Sequence, residues 1–334
     1  MTREKFGKLP DGQDVERLTI TAHGLSASFI TLGASLQDLR LDGVAHPLVL
    51  GFPELAPYLG EGKYFGAIVG RCANRIAHGE AEVEGHRLTL DRNEKDRTTL
   101  HGGTDGTGRR NWIIDDHGPD FVTFSDHLPD GHMGFPGAMQ VQVRYQILPG
   151  PQLRIEIVAT ASKTTICNFA QHSYFNLDGS ADISGHLLTV PTETWLPVDD
   201  ALIPTGAPAP VAGTHLDFRK PIQLGDRLGG PLIDHNLCLA AERHHLPCPA
   251  AVLSAGGVEM TITSTEPGLQ VYTADHLAGG AAGIGGRPYS PHAGIALESQ
   301  VWPDAVHHPD YPSALLPAGH VYRQSTVLGF SRSS

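Results

Sequence analysis

The 334-residue sequence carries 36 acidic against 24 basic side chains, a formal net charge of −12, with 40% hydrophobic and 18% charged residues. That is the balance of a globular chain and not a disordered one. It argues against a nucleic-acid partner, which is held by clustered Lys and Arg that displace counterions.

Apolar runs at 18–21, 25–30, 87–90 and 121–124, each bounded by Gly, Pro, Asp or Asn, predict short strands. Alternation is clearest through Met139, Val141, Val143, Tyr145 and Ile147, and it resumes at Leu153, Ile155 and Ile157 after Pro149-Gly150-Pro151, the pattern of a hairpin. Further strands are expected at 186–190, 258–263 and 269–273. The 39 Gly and 25 Pro are spread along the chain and break nearly every stretch able to carry a 3.6-residue period. The one helical expectation is about two turns at 53–59. With no internal repeat, linker or abrupt change of composition, the fold class expected is all-β, a large antiparallel β-sandwich forming a single domain over 1–334. A division into two domains near 204–210 is the competing arrangement.

No apolar run approaches the roughly 18 residues of a membrane span, and the charged start MTREKFGKLP lacks the apolar core of a signal peptide. The expectation is a cytoplasmic protein without membrane attachment. Cys72, Cys167, Cys238 and Cys248 show no CxxC spacing, so free thiols are expected and neither a disulfide framework nor a zinc ribbon. No HExxH occurs. The adjacent pairs His244-His245 and His307-His308 would point apart in a strand and so not share a metal ion. The Gly-rich stretch 279–286 lacks the Lys and strand–helix frame of a phosphate loop and reads as a mobile surface loop; there is no GxSxG elbow.

Several patches keep awkward residue types together in ordinary β sequence: GRCANR at 70–75, LHGG at 100–103, HSYFNL at 172–177, DHN at 234–236, EPGLQ at 266–270 and ESQVWPD at 298–304. Taken singly, Arg75 reads as a surface ion-pair partner, His101 as a turn residue and Asn176 as an Asx turn. Glu298 follows the apolar run Gly294-Ile295-Ala296-Leu297 and precedes Val301-Trp302, so its carboxylate is expected where a buried strand emerges. Desolvation there raises a carboxyl pKa toward the range of a general base; a solvated strand-end Glu is the alternative. His172, among aromatic neighbours, suits a proton donor near neutral pH, and its local sequence suits a hydrogen-bonded core histidine equally well.

In their order along the chain, FGAIVGRCANRI (65–76), LHGG, GFPG (134–137), HSYFNLDG (172–179), IDHNL (233–237), EPGLQVY (266–272) and LESQVWPDAV (297–306) resemble the aldose 1-epimerase (galactose mutarotase) family, from about Phe6 to near the C-terminus. The resemblance implies a mutarotase-like supersandwich with an open cleft across one sheet. It implies that Glu298 takes the proton of the anomeric hydroxyl and that His172 protonates the ring oxygen. The ring then opens to the aldehyde and recloses as the other anomer. Asn74, Arg75, His101, Asp234 and Gln270 are implied to hold the sugar, with Trp302 or Phe175 available to stack on it. The substrate implied is a free hexose or pentose. No metal or organic cofactor is implied, and the protein is expected to be a monomer or homodimer with no nucleic-acid or membrane partner. Gln171 stands where the family commonly has Asn before the histidine, and Thr99 where Asn is common two places before His101. Competing functions are a non-catalytic sugar-binding module on the same scaffold and an epimerase of phosphorylated sugars, which calls for an extra Arg or Lys cluster.

Overall fold

The computed structural model describes residues 1–332. Met139–Leu148 and Gln152–Ala161 form the expected hairpin, in register from Met139↔Ala161 to Leu148↔Gln152. Gly150 in the turn takes a φ of +81°, a left-handed conformation that costs glycine nothing. This hairpin supplies the third and fourth strands of a nine-stranded antiparallel sheet ordered Ile113–His117, Phe121–Leu128, Met139–Leu148, Gln152–Ala161, Val321–Arg332, Val258–Ser264, Cys248–Ala255, Leu187–Thr189 and Ile222–Gln223. A six-stranded sheet lies against it, ordered Tyr174–Phe175, Ile295–Gln300, Gly268–Tyr272, Asp234–Cys238, Thr194–Trp195 and Ala209–Pro210. The segment 204–210, a candidate domain break, thus runs into the edge of this sheet. The first four strands, Thr2–Lys8, Asp14–Ala22, Leu25–Ile30 and Ser35–Leu41, make a third sheet. One hydrophobic cluster draws on all three, from Leu18 and Phe29 through Tyr145 and Ile157 to Leu297 and Phe330.

Among the described residues the only helical segments are single 3-10 turns of three or four residues. The two turns expected at 53–59 shrink to one, Ala56–Leu59. Pro57 has no N–H to continue the ladder, and Gly60 ends it.

Strand parity in the six-stranded sheet decides where its polar residues go. Gln270 pairs with Glu298 and Val271 with Leu297, while Asn236 pairs with Gln270 and Leu237 with Leu269. Directly paired residues share a face and successive residues alternate. Leu237, Leu269, Val271, Ile295 and Leu297 therefore enter the shared core, and Asp234, Asn236, Gln270 and Glu298 all face the other way. Glu298 lies inside the strand Ile295–Gln300, every residue of which is buried, and not at its end as expected.

Leu297 thus anchors the strand that carries Glu298. Leu297→Ala should cost about 2–5 kcal/mol, the usual sum of lost transfer energy and residual cavity for a buried leucine. A chemical denaturation curve checks this; a loss below about 1 kcal/mol would mean the inner face does not hold the strand.

Candidate active site

The polar face of the six-stranded sheet forms the floor of a cleft of about 440 Å³, lined by Glu298 and Asp234 below and by Tyr64, Asn74, Arg75, His101, His172, Tyr174 and Tyr272 around it. Short strands supply the walls. Arg75–Ile76 pairs with Thr99–Leu100, which brings Asn74 beside His101. The two then bond reciprocally: the His101 N–H donates to the Asn74 carbonyl at 3.0 Å, and the Asn74 N–H donates to His101 Nδ1 at 3.2 Å. The following Gly102 lies so close to the other patch that a Cβ on it would meet the Gly70 carbonyl oxygen at 2.1 Å. GRCANR and LHGG are therefore one locked unit. The fully buried Arg71 adds GFPG to it by donating to the carbonyls of Pro136 and Gly137 at 3.0 and 2.9 Å.

His172 follows Ala170–Gln171 and is fixed by its backbone, donating to Ala67 and accepting from Gly66, both at 2.9 Å. Tyr64 stacks on its ring at a centroid distance of 6.2 Å, and Tyr174 and His101 pack around it at 5.1 and 5.3 Å. His172 Nε2 lies 3.6 Å from Glu298 Oε1. Arg75 is gripped by Glu94, which accepts from Nε at 2.9 Å and Nη2 at 2.8 Å. The Arg75 Nη1 stands 3.9 Å from Asp234 Oδ2.

Burial sets the proton affinities. Desolvation pushes the Glu298 carboxyl up to about 8; the negative charge of Asp234 adds to this and Arg75 opposes it. Desolvation pushes His172 down to about 4. His101 is held well below the usual imidazole range by burial first, then by His172, Arg75 and Lys63. Its Nδ1 accepts an amide hydrogen, so the neutral ring carries its proton on Nε2 and offers a donor there. His101, His172 and Glu298 bring ligand-type atoms within 4.8 Å of one another. A metal needs a lone pair from each, and His101 presents an N–H instead. The polarity suits a hydroxyl or ether oxygen.

The aldose 1-epimerase family profile matches residues 16–329. Galactose mutarotase of Rattus norvegicus is 41% identical to this chain over 342 residues, covering 99% of this chain and 98% of that protein. Aldose 1-epimerase of Escherichia coli is 32% identical, covering 99% of each. The chain belongs to the aldose 1-epimerase family. A crystal structure of a GalM/aldose epimerase homologue from C. elegans has the same fold, with a TM-score of 0.87 at 30% identity over 95% of this chain and 99% of that one. As a member of this family the chain is an enzyme, an isomerase. Among its described residues no helix is long and apolar enough to cross a membrane.

Six of the seven site residues expected of an aldose 1-epimerase line the cleft: Asn74, Arg75, His101, His172, Asp234 and Glu298. Gln270 does not; it is buried behind Asp234, donating to its Oδ1 at 2.6 Å. Trp302 and Phe175 are also outside it. Trp302 packs on Tyr311 and donates to the Pro267 carbonyl at 3.0 Å, and Phe175 is in the core, so the cleft's Phe and Tyr walls are Tyr64, Phe65, Tyr174 and Tyr272. Glu266 is buried against Arg243 at 3.0 Å, and Asn176 accepts from the Gly179 N–H at 3.0 Å, three residues on and so one further than in the Asx turn expected. His307 and His308 lie at a 3-10 turn and not in a strand, and both reach Asp304, at 2.7 and 3.8 Å. Thr99 and Gln171 satisfy the backbone carbonyls of Asp91 and Gly66, at 2.7 and 3.1 Å, outside the cleft lining. Sequence reasoning missed Glu94 and Tyr64. Tyr64 was legible in principle, standing one residue before the FGAIVGRCANRI motif. Glu94, in the charged run Asp91–Arg97, gave no signal.

Because the folded state raises the Glu298 pKa from 4.5 to about 8, it prefers this group protonated. Stability is therefore lost as pH rises through that window, by on the order of a few kcal/mol once the group ionises. Glu298→Gln removes the buried charge and keeps the shape. Its melting temperature should exceed that of the wild type above pH 8 and match it near pH 4.5; equal melting temperatures at alkaline pH would show that ionised Glu298 is well solvated.

Proposed function

We propose that this aldose 1-epimerase interconverts the α and β anomers of a free aldose, a hexose or pentose, with Glu298 as general base and His172 as general acid, in one domain spanning 1–334. The observation that carries this reading is the 3.6 Å approach of His172 Nε2 to Glu298 Oε1 inside a polar, tyrosine-walled cleft. Two proton-active groups so close can serve two oxygens of one sugar carbon, the anomeric hydroxyl and the ring oxygen. Glu298 takes the hydroxyl proton while His172 gives one to the ring oxygen. The C–O ring bond breaks with its electrons on the ring oxygen, and the anomeric carbon becomes an aldehyde. Rotation about the bond to the next carbon turns its other face to the ring hydroxyl. Reclosure returns both protons to the groups that lent them, with no net redox change.

Over the range between the two apparent pKa values the pair holds one proton. Desolvation keeps it on Glu298 in the resting site, and the competent form has it on His172. Both forms have the same net charge, so solvent need not supply a proton. A sugar whose anomeric hydroxyl donates to the carboxylate and whose ring oxygen accepts from the imidazolium gives each charge a hydrogen-bond partner and favours the competent form. The Arg75 guanidinium, the Nε2–H of His101 and the Asn74 amide serve as donors to the remaining hydroxyls. Asp234 serves as their acceptor, oriented by Gln270. Each proton-transfer group of such a pair contributes on the order of 10²–10⁴-fold.

Polarimetry of freshly dissolved α-glucose, α-galactose, xylose and arabinose tests this reading. kcat/KM should trace a bell against pH. Its acidic limb falls where the pair takes a second proton, near about 4, and its basic limb where it loses its one proton, near about 8. Glu298→Gln should bind sugar and lose about 10²–10⁴-fold in kcat. Near-native turnover in folded Glu298→Gln, or no decline above pH 8, would contradict the assignment.

A further inference from the structure

Arg75 is the guanidinium whose charge acts on Glu298, and its aim depends on Glu94. The Glu94 carboxylate occupies both Nε–H and one Nη2–H, at 2.9 and 2.8 Å, which spends one edge of the guanidinium. The five N–H groups of an arginine form a rigid planar fork, so fixing two of them fixes the direction of the rest. Nη1 is left on the side of Asp234, 3.9 Å from Oδ2 and outside hydrogen-bond reach.

Glu94 is itself braced. The Thr98 hydroxyl donates to Oε2 at 2.7 Å, and the backbones of Glu94 and Thr98 exchange two hydrogen bonds, each 3.2 Å. These close a tight turn in which Lys95 and Asp96 both take a left-handed φ of 52°. On the other side of Arg75, its carbonyl accepts from the Asp304 N–H at 3.1 Å.

Arg75 faces Glu94, Asp234 and Glu298, and its charge acts on His101; Lys95 is the other cation acting on Glu94. Glu298 in turn faces Asp234, Arg75, His172 and Tyr174. If Glu94 lost its charge, Asp234 would become the nearest anion to the guanidinium. Closing that 3.9 Å gap would spend the free donors on Asp234 at the cleft floor, and the site would hold one negative charge fewer near Glu298.

We propose that Glu94 is a positioning residue for sugar recognition, occupying one edge of the Arg75 guanidinium so that the other edge faces the substrate and stays off Asp234. The proposal rests on the epimerase reading for its ligand, a free aldose. The experiment compares Glu94→Gln, Glu94→Asp, Arg75→Ala and the Glu94→Gln/Arg75→Ala double variant by polarimetry across pH, with thermal melts alongside. Glu94→Gln should raise KM roughly tenfold or more, the worth of a charge-assisted hydrogen bond to substrate, with a smaller fall in kcat. The basic limb of its kcat/KM profile should move to lower pH, because a less neutralised cation favours ionised Glu298. Glu94→Asp, which keeps the charge but draws it back, should raise KM and leave the basic limb in place. In the Arg75→Ala background Glu94→Gln should add nothing. An unmoved basic limb in Glu94→Gln, or effects that add in the double variant, would overturn the proposal and leave Glu94 a structural carboxylate. If the wild type turns over none of the four sugars, the epimerase reading fails instead. The same non-additivity, measured as Kd by titration calorimetry with galactose, then supports or overturns the role of Glu94.

Discussion

Glu298 sits within a strand whose six residues are all buried. Its carboxyl loses the hydration that would stabilise a charge, and among the described residues no donor reaches its Oε2, which is buried without a hydrogen-bond partner. Arg75, the cation that acts on it, is committed to Glu94. A carboxyl so placed gains proton affinity, which moves it toward the range that the proposed general base calls for. The rest of the site follows from that constraint. His172, desolvated in the same cleft, moves the opposite way, and the proposed reading has the two groups share a single proton. The sandwich supplies the rigidity: the face opposite Glu298 is filled by Leu297, Val271 and Leu269, which tie the Glu298 strand to the nine-stranded sheet.

Around this floor the walls rest on strands of only two residues, Ile68–Val69, Arg75–Ile76, Thr99–Leu100 and Ala170–Gln171. Ladders that short hold little by themselves, and buried side chains bonded to backbone take their place. The Asn168 Oδ1 accepts from Val301 at 2.9 Å, its N–H donates to Arg71 at 2.8 Å, and its carbonyl accepts from Ala73 at 2.7 Å. The Asp304 carboxylate accepts from Ala77 at 2.9 Å while its N–H donates to the Arg75 carbonyl. Arg71, Asn168 and Asp304 are thus polar residues inside the fold because the walls of the cleft are irregular backbone. They explain why the motifs extend well beyond the groups that line the cleft.

The alternating strands were legible because one face is apolar and the other polar; Leu25–Ile30 and the central hairpin agree closely with the sequence pattern. Val321–Arg332, the longest strand and the neighbour of that hairpin, was not. Its inward positions are Tyr322, Gln324, Thr326, Leu328 and Phe330, and the buried Gln324 and Thr326 interrupt the apolar alternation. For the site, motif order marked Glu298, His172, Asp234 and three further wall residues, Asn74, Arg75 and His101. It did not separate Gln270, one strand over from Glu298 and covered by Asp234, from the residues open to the cleft. Trp302 was misplaced because an aromatic beside the Glu298 strand fits a stacking role or a packing role, and its contact with Tyr311 decides between them. Glu94 was hidden because an ion pair between a turn and a two-residue strand leaves no periodicity in the sequence.

The central claim is that the resting cleft stores its one proton on Glu298 and not on His172. Infrared difference spectroscopy of the wild type minus Glu298→Gln reads this directly, since a protonated carboxyl and a carboxylate absorb in separate regions. At pH 6 the difference should show the carbonyl stretch of a buried carboxylic acid, and that band should give way to carboxylate bands as pH is raised through about 8. Carboxylate bands already present at pH 6 would place the resting proton elsewhere and contradict the account.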